Sequence, residues 1–206
     1  FEKDPSLFVS DILHFFSQIE TIQRQNDDGL MSKHLEKYRK IMKERIEGKT
    51  MGITTGFSDL DYSLGQGLQR KDLIIIGARP SVGKTSFSLT VAYNAAKAGF
   101  KTIFFTCEMD DQEIMDRLVA FESNIPATAL IRGKVSIEQL EISLQSLQEL
   151  PLFVLHFPKA TSSEVYAVAS KYKHSKGLDL LVVDYLGYLS DEGENETIRL
   201  GRISRA

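Results

Sequence analysis

Leu73-Ile-Ile-Ile76 runs through Gly77 into Ala78-Arg79-Pro80-Ser81-Val82-Gly83-Lys84-Thr85-Ser86. The apolar run is short and β-branched, which predicts a strand. Helical spacing follows from Lys84 to about Lys97 and stops at Gly99. A strand that turns through small residues into a helix frames the phosphate-binding pattern G-x-x-x-x-G-K-[ST]. In that pattern the small residues let backbone N–H groups close around phosphates, and the helix aims its positive end at them. Lys84 would reach the β- and γ-phosphates, and the Thr85 hydroxyl would hold Mg²⁺. Ala78 stands where the pattern has its first Gly. Read as a tripeptide, Gly83-Lys84-Thr85 also fits a turn with an exposed Lys; the strand before it and the helix after it favour the phosphate loop.

Working outward, further strands are predicted at Thr102–Thr106, Leu152–His156 and Leu180–Val183, the last buried on both faces. Helices are predicted over Gln112–Glu122 and over Ser136–Leu147, with Ser136 as cap. Thr161-Ser-Ser-Glu164 is a capping box that opens a helix to about Lys173. Strands alternating with helices imply βαβ units and a parallel sheet, so the class is α/β. Ligands of such sheets bind beyond the carboxyl ends of the strands. Two acids stand there. Asp184 follows the last apolar strand and reads as a metal ligand or as a turn residue. Glu108 follows Thr102–Cys107 and reads as a base for attacking water or as a solvated carboxylate. Cys107 reads as a small buried hydrophobe, and the His residues as surface or packing residues.

Composition removes other classes. The chain has 206 residues, 42% hydrophobic and 26% charged, which predicts one globular domain with an appendage. A single Cys precludes an internal disulfide, and the four His lack zinc-ligand spacing. The longest near-apolar run, Leu180–Leu189, is broken by Asp184 and too short to span a membrane. No signal peptide is visible. A net charge of −3 gives no bulk nucleic-acid signal. The chain opens at Phe1, so a fragment is expected.

Charge also divides the chain. Residues 1–29 carry six acids and two bases; residues 30–49 carry seven bases and three acids. Asp4-Pro5 opens a predicted helix with Phe8, Ile12, Phe15, Phe16, Ile19 and Ile22 at helical spacing. A second helix is predicted from about Ser32 to Ile46, with Met31, Leu35, Tyr38, Met42 and Ile46 on one face and Gly48 as its stop. The expected organisation is a helical segment over 1–29, a second helical segment over 30–50 and an α/β domain over 51–206.

Thr54-Thr-Gly-Phe-Ser-Asp-Leu-Asp61, Ala78-Arg-Pro-Ser-Val-Gly-Lys-Thr85, Cys107-Glu-Met109 and Val183-Asp-Tyr-Leu186 resemble, in order, the motifs of the DnaB-type hexameric replicative helicases. The likeness covers about Met51 to Ala206. It makes Ala78 regular, since Ala-Arg-Pro-Ser-x-Gly-Lys-Thr is the family's own form of the loop. It implies a RecA-like core with ATP (or another NTP) and Mg²⁺ as cofactors, held by Ala78–Ser86 with Thr85 and Asp184 on the metal. Glu108 is the implied base, acting with Lys84. Arg117, in the next helix, stands where the family has an Arg near the nucleotide; read by itself it also fits a solvent-facing helix. Arg132-Gly133 resembles the family's short turn, and Ser32–Ile46 its linker helix, which packs on a neighbouring subunit. Packing on its own domain fits that stripe as well.

Many bacterial members have Gln where this chain has Gly187, and phage-encoded members look closer. The family's arginine finger and single-strand-binding loops lie beyond Ala206, so Arg202 and Arg205 are not assigned to them. The expected function is an ATP-hydrolysing motor that translocates on single-stranded DNA and unwinds duplex. Its expected partners are single-stranded DNA, itself as a homohexameric ring, primase and a helicase loader. It would work without a membrane, in the cytoplasm of a bacterial cell or phage-infected host. The alternatives are a RecA-like recombinase or clock-type ATPase, and a nucleotide-binding loader or assembly factor that does not unwind.

Overall fold

The computed structural model describes residues 31–48, 52–79, 81–185, 187 and 189. The helix expected around Phe8–Ile22, the loop's Pro80, and Arg202 and Arg205 lie outside them. The chain divides into two compact units, Phe1–Met51 and Gly52–Ala206.

In the first unit, helix α1 spans Met31–Ile46. Lys43 and Arg45 in its last turn suit the negative end of the helix dipole. Gly48, at φ 68°, closes it with its N–H on the Arg45 carbonyl. None of its residues is buried, and Met31, Leu35, Tyr38 and Ile46 of the apolar stripe are exposed.

The second unit is built on a parallel sheet. Strands β1 (Thr102–Thr106), β2 (Leu152–His156) and β3 (Leu180–Asp184) take the order β2-β1-β3. Thr102 aligns with Leu152 and Leu180, and Thr106 with His156 and Asp184. The register therefore brings the carboxyl ends level. Around the sheet stand α2 (Ser58–Ser63), α3 (Lys84–Lys97), α4 (Asp111–Ser123), α5 (Ala127–Ile131), α6 (Ile137–Gln148) and α7 (Ser162–Ser175).

Successive strand residues face opposite ways, which sorts the core into two layers. Phe104 packs with Leu89, Ala92 and Tyr93 of α3 and with Ile114 and Leu118 of α4. On the other face Ile103 and Phe105 pack with Val165 and Tyr172 of α7. The α/β class is as expected, with helices on both faces of the sheet. The caps are in place too: Ser136 accepts from Gln139 N–H, and both halves of the Thr161–Glu164 capping box are formed.

Two expectations are corrected. Leu73–Ile76 is not a strand: residues 72–79 join no sheet, and all four apolar side chains are 44–70% exposed. A strand exists only through hydrogen bonds to a neighbour, and β-branched composition does not reveal whether one is aligned. Leu180–Val183 is half-buried, not buried on both faces. It flanks the sheet on one side, whereas β1, covered by strands on both edges and helices on both faces, is buried along its length. The short helices α2 and α5 lack the length for a periodic signal. No helix among the described residues is long and apolar enough to cross a membrane.

Candidate nucleotide site

Gly83 sits at φ 107° and serves as the N-cap of α3. That left-handed backbone suits glycine and turns the chain from the loop into the helix. Ser81, at φ 62°, makes a second tight bend. The Lys84 ammonium lies back across the loop, with Nζ donating to the Ala78 carbonyl at 3.1 Å. Ala78, Arg79, Ser81 and Val82 are exposed around it.

Thr85, one residue on, meets the end of β3. Its side chain lies near enough to the Asp184 carboxylate to pull the carboxyl pKa down. Asp184 is only 4% exposed, and its Oδ2 has no hydrogen-bond partner among the described residues. Burial pushes this carboxyl above its ordinary value, against the pull of Thr85, Arg117 and Lys84. A buried carboxylate oxygen facing a threonine hydroxyl is a donor set for a hard cation that takes its remaining ligands from water and phosphate. Mg²⁺ fits that description. Among the described residues no cluster of three or more His, Cys, Asp or Glu offers a fuller cage.

Glu108 is exposed just past β1. Two contacts hold its turn. The Cys107 N–H donates to the Asp184 carbonyl at 2.8 Å, tying the turn to the neighbouring strand end. The buried Thr106 hydroxyl accepts from Met109 N–H at 3.1 Å and donates to the Met109 carbonyl at 3.3 Å. Cys107 is buried as expected, and burial raises its thiol pKa, helped by the Asp184 charge.

Arg117, on α4, reaches the first turn of α3, where its Nη1 donates to Ser86 Oγ at 2.6 Å. The structure thus gathers Lys84, Thr85, Ser86, Arg117 and Asp184 at one end of the sheet, with Glu108 on the adjoining strand end. Sequence reading missed Thr106. A lone polar residue closing an apolar strand, two before a candidate base, was the available signal.

Residues 54–61 lie along α3, from Phe87 in its first turn to Asn94 further on. Thr54 and Thr55 hydroxyls donate to Asp61 at 2.5 and 2.6 Å, and Asn94 of α3 donates to the Thr55 carbonyl at 2.9 Å. Phe57 stacks on Phe87 with ring centroids 5.4 Å apart. A Cβ at Gly56 would fall 2.1 Å from Asn94 Nδ2, so glycine is required for this approach.

The family model for the DnaB-like helicase C-terminal domain matches residues 52–206. The chain is similar to the replicative DNA helicase DnaB of Geobacillus stearothermophilus, 36% identical over 167 residues, covering 78% of this chain and 37% of that protein. It is similar to the replicative DNA helicase DnaC of Bacillus subtilis (strain 168), 32% identical over 193 residues, covering 92% of this chain and 40% of that protein. It therefore spans about two fifths of these relatives. Among solved structures, one ATPase domain aligns with a TM-score of 0.74 at 24% identity, over 87% of this chain and 66% of that one. A DnaB-like replicative helicase, solved to describe its interactions with primase, aligns with a TM-score of 0.72 at 23% identity, over 98% and 49%. These two likenesses speak for the fold, a RecA-like core preceded by a helix. With three quarters of its length matched by one family model, the chain belongs to the DnaB-like helicase C-terminal domain family.

Proposed function

We propose that Gly52–Ala206 is the nucleotide-hydrolysing motor of a replicative DNA helicase, using ATP with Mg²⁺. The observation that carries the reading is the Thr85–Asp184 pair at the foot of the phosphate loop, with one buried carboxylate oxygen that has no hydrogen-bond partner among the described residues. Membership of the family makes a nucleotide the ligand class; the geometry supports the roles below.

Ala78–Ser86 cradle the phosphates, through the backbone N–H groups of all but Pro80, and Lys84 exchanges the Ala78 carbonyl for β- and γ-phosphate oxygens. Thr85 and Asp184 would hold Mg²⁺, which would supply compensating positive charge at the phosphates. Glu108 takes a proton from the attacking water; its turn, fixed by Thr106 and Asp184, keeps the carboxylate at the strand end. Arg117, steadied by Ser86, adds positive charge beside the phosphates.

The wider setting belongs to the same proposal: single-stranded DNA as track, a homohexameric ring as the working form, and primase and a loader as partners in the cytoplasm of a bacterial or phage-infected cell. The exposed stripe of α1 supports packing on a neighbouring subunit.

The test is Lys84→Ala in the intact protein. It should abolish nucleotide binding, read with a fluorescent ATP analogue, and with it the hydrolysis that single-stranded DNA stimulates. A variant that melts like the parent and still hydrolyses ATP normally would overturn the site. Normal hydrolysis by the parent that never responds to DNA would instead favour a loader or assembly factor.

A further inference from the structure

The register of the sheet sets three polar side chains in one row at its carboxyl edge. Asp184 of β3 and His156 of β2 are both level with Thr106 of β1. Alternation along the strands gives all three the same face, because Val182, Val154 and Phe104, each two residues earlier, pack in the layer beneath α3 and α4. The roles above use Asp184 and Thr106 and leave His156 idle. Its backbone is well fixed. The Phe157 N–H donates to the Thr106 carbonyl at 3.0 Å, which extends the pairing of β2 with β1 past the strand end. The Phe157 ring stacks on buried Phe105, of the opposite face, with centroids 5.1 Å apart. The imidazole between these anchors is half-buried and has no hydrogen-bond or ion-pair partner among the described residues.

We infer that His156 is a positioning residue for Glu108: its imidazole N–H donates to the Glu108 carboxylate and holds it toward the attacking water. The inference rests on the proposed role of Glu108 as base. Glu108 lies two residues past Thr106, is exposed, and its carboxylate also has no hydrogen-bond or ion-pair partner among the described residues. Its turn bends toward the row. The Met109 backbone bonds through both N–H and carbonyl to the Thr106 hydroxyl, and the Met109 side chain packs in the layer beneath α3 and α4. Residues 107–109 therefore curl over the face that carries His156. Neighbouring strands stand about 4.8 Å apart, so imidazole and carboxylate are anchored one strand apart at the same edge. Asp184 stands two strand spacings from His156, about 10 Å, and is the more distant acceptor. The chemistry of the pair matches. An imidazole keeps at least one N–H in either protonation state, and an ionised carboxylate only accepts. An exposed Glu side chain samples several rotamers, and a hydrogen bond from a clamped strand end selects one of them. Bonds between catalytic groups often close only with substrate in place.

The experiment measures single-turnover hydrolysis and direct binding of ATP with Mg²⁺ in the intact protein. His156→Leu fills similar space without a donor, and His156→Ala removes the ring. Either should lower turnover about tenfold with ATP affinity unchanged, the cost of a less well-aimed base. His156→Gln, which restores an N–H donor, should recover most of the lost turnover, whereas a packing role would be served better by leucine than by glutamine. In a Glu108→Gln background His156→Leu should add almost nothing, because the two side chains act through one carboxylate. The inference is overturned by normal turnover in a leucine or alanine variant that melts like the parent, by losses that multiply in the double variant, or by leucine outperforming glutamine. If the leucine variant loses its fold, the alanine variant decides the same questions. The underlying reading fails separately. A Glu108→Gln protein that hydrolyses ATP normally removes the base, whatever His156 does; an inactive Glu108→Gln beside a fully active His156→Leu removes only the inference.

Discussion

Replacing Thr106 by valine keeps the shape of a fully buried side chain and deletes only its hydroxyl. That oxygen accepts from Met109 N–H at 3.1 Å and donates to the Met109 carbonyl at 3.3 Å. One buried amide left unpaired costs about 1–3 kcal/mol, and the longer bond adds less, so about 2 kcal/mol is expected in all. For a domain of this size, that lowers the melting temperature by about 4–8 °C. The second effect is on turnover. Thr106 pins the turn carrying Glu108, and small misplacement of a catalytic group costs up to about a hundredfold. Turnover should fall between about tenfold and a hundredfold with ATP affinity unchanged, measured by single-turnover hydrolysis and direct binding. In a Glu108→Gln background, Thr106→Val should add almost nothing, because both act through one carboxylate. Full multiplicativity of the two losses would refute the argument, as would turnover and affinity falling together.

Glu108→Gln should retain ATP binding and lose about 10²–10⁴ in turnover, as expected for a positioned base; weak binding with a normal maximal rate would mark the residue as structural. Asp184→Asn removes a buried carboxylate charge, so without ligand the protein should melt about 2–4 °C higher although Mg²⁺-dependent hydrolysis is lost; a lower melting temperature would refute the desolvation argument. Burial would raise the Asp61 carboxyl, but hydrogen bonds from Thr54 and Thr55 outweigh it and leave it below 3.8. The stability it contributes is therefore present above pH 3.8 and lost as pH falls toward the lower folded value, so acid melts of Asp61→Asn should be flatter there than those of the parent. Leu35→Glu with Tyr38→Glu should shift a ring toward monomers in sedimentation; loss of helicity with assembly intact would show that the stripe packs within its own chain.

Much of this was legible in local pattern. The capping box at Thr161 and the Ser136 cap are decided within four residues, and the structure forms both. Strands β1 and β2 fall on the expected residues because strands of a helix-covered parallel sheet are near-continuous apolar runs. Leu73–Ile76 has the same composition but no partner strand, and pairing is a property of the neighbour rather than of the run. The positions of Lys84, Thr85 and Asp184 could be read because one loop pattern and one strand end fix them. Arg117 was legible as a position but not as a contact: its bond to Ser86 depends on how α4 lies across α3.

Helix α3 is held at several points along its length. Ser86 is bonded to Arg117, Phe87 lies under Phe57, Asn94 is bonded to Thr55, and Tyr93 and Lys97 both meet Glu122. From Ser86 to Asn94 the rise is about 12 Å. A rod clamped along its length does not bend at one joint when pushed at its end; it moves whole, and what it is bolted to moves with it. A nudge of about an ångström at the phosphates would thus be carried to residues 54–61 with little lost to slack, which makes α3 less a wall of the binding site than its lever arm.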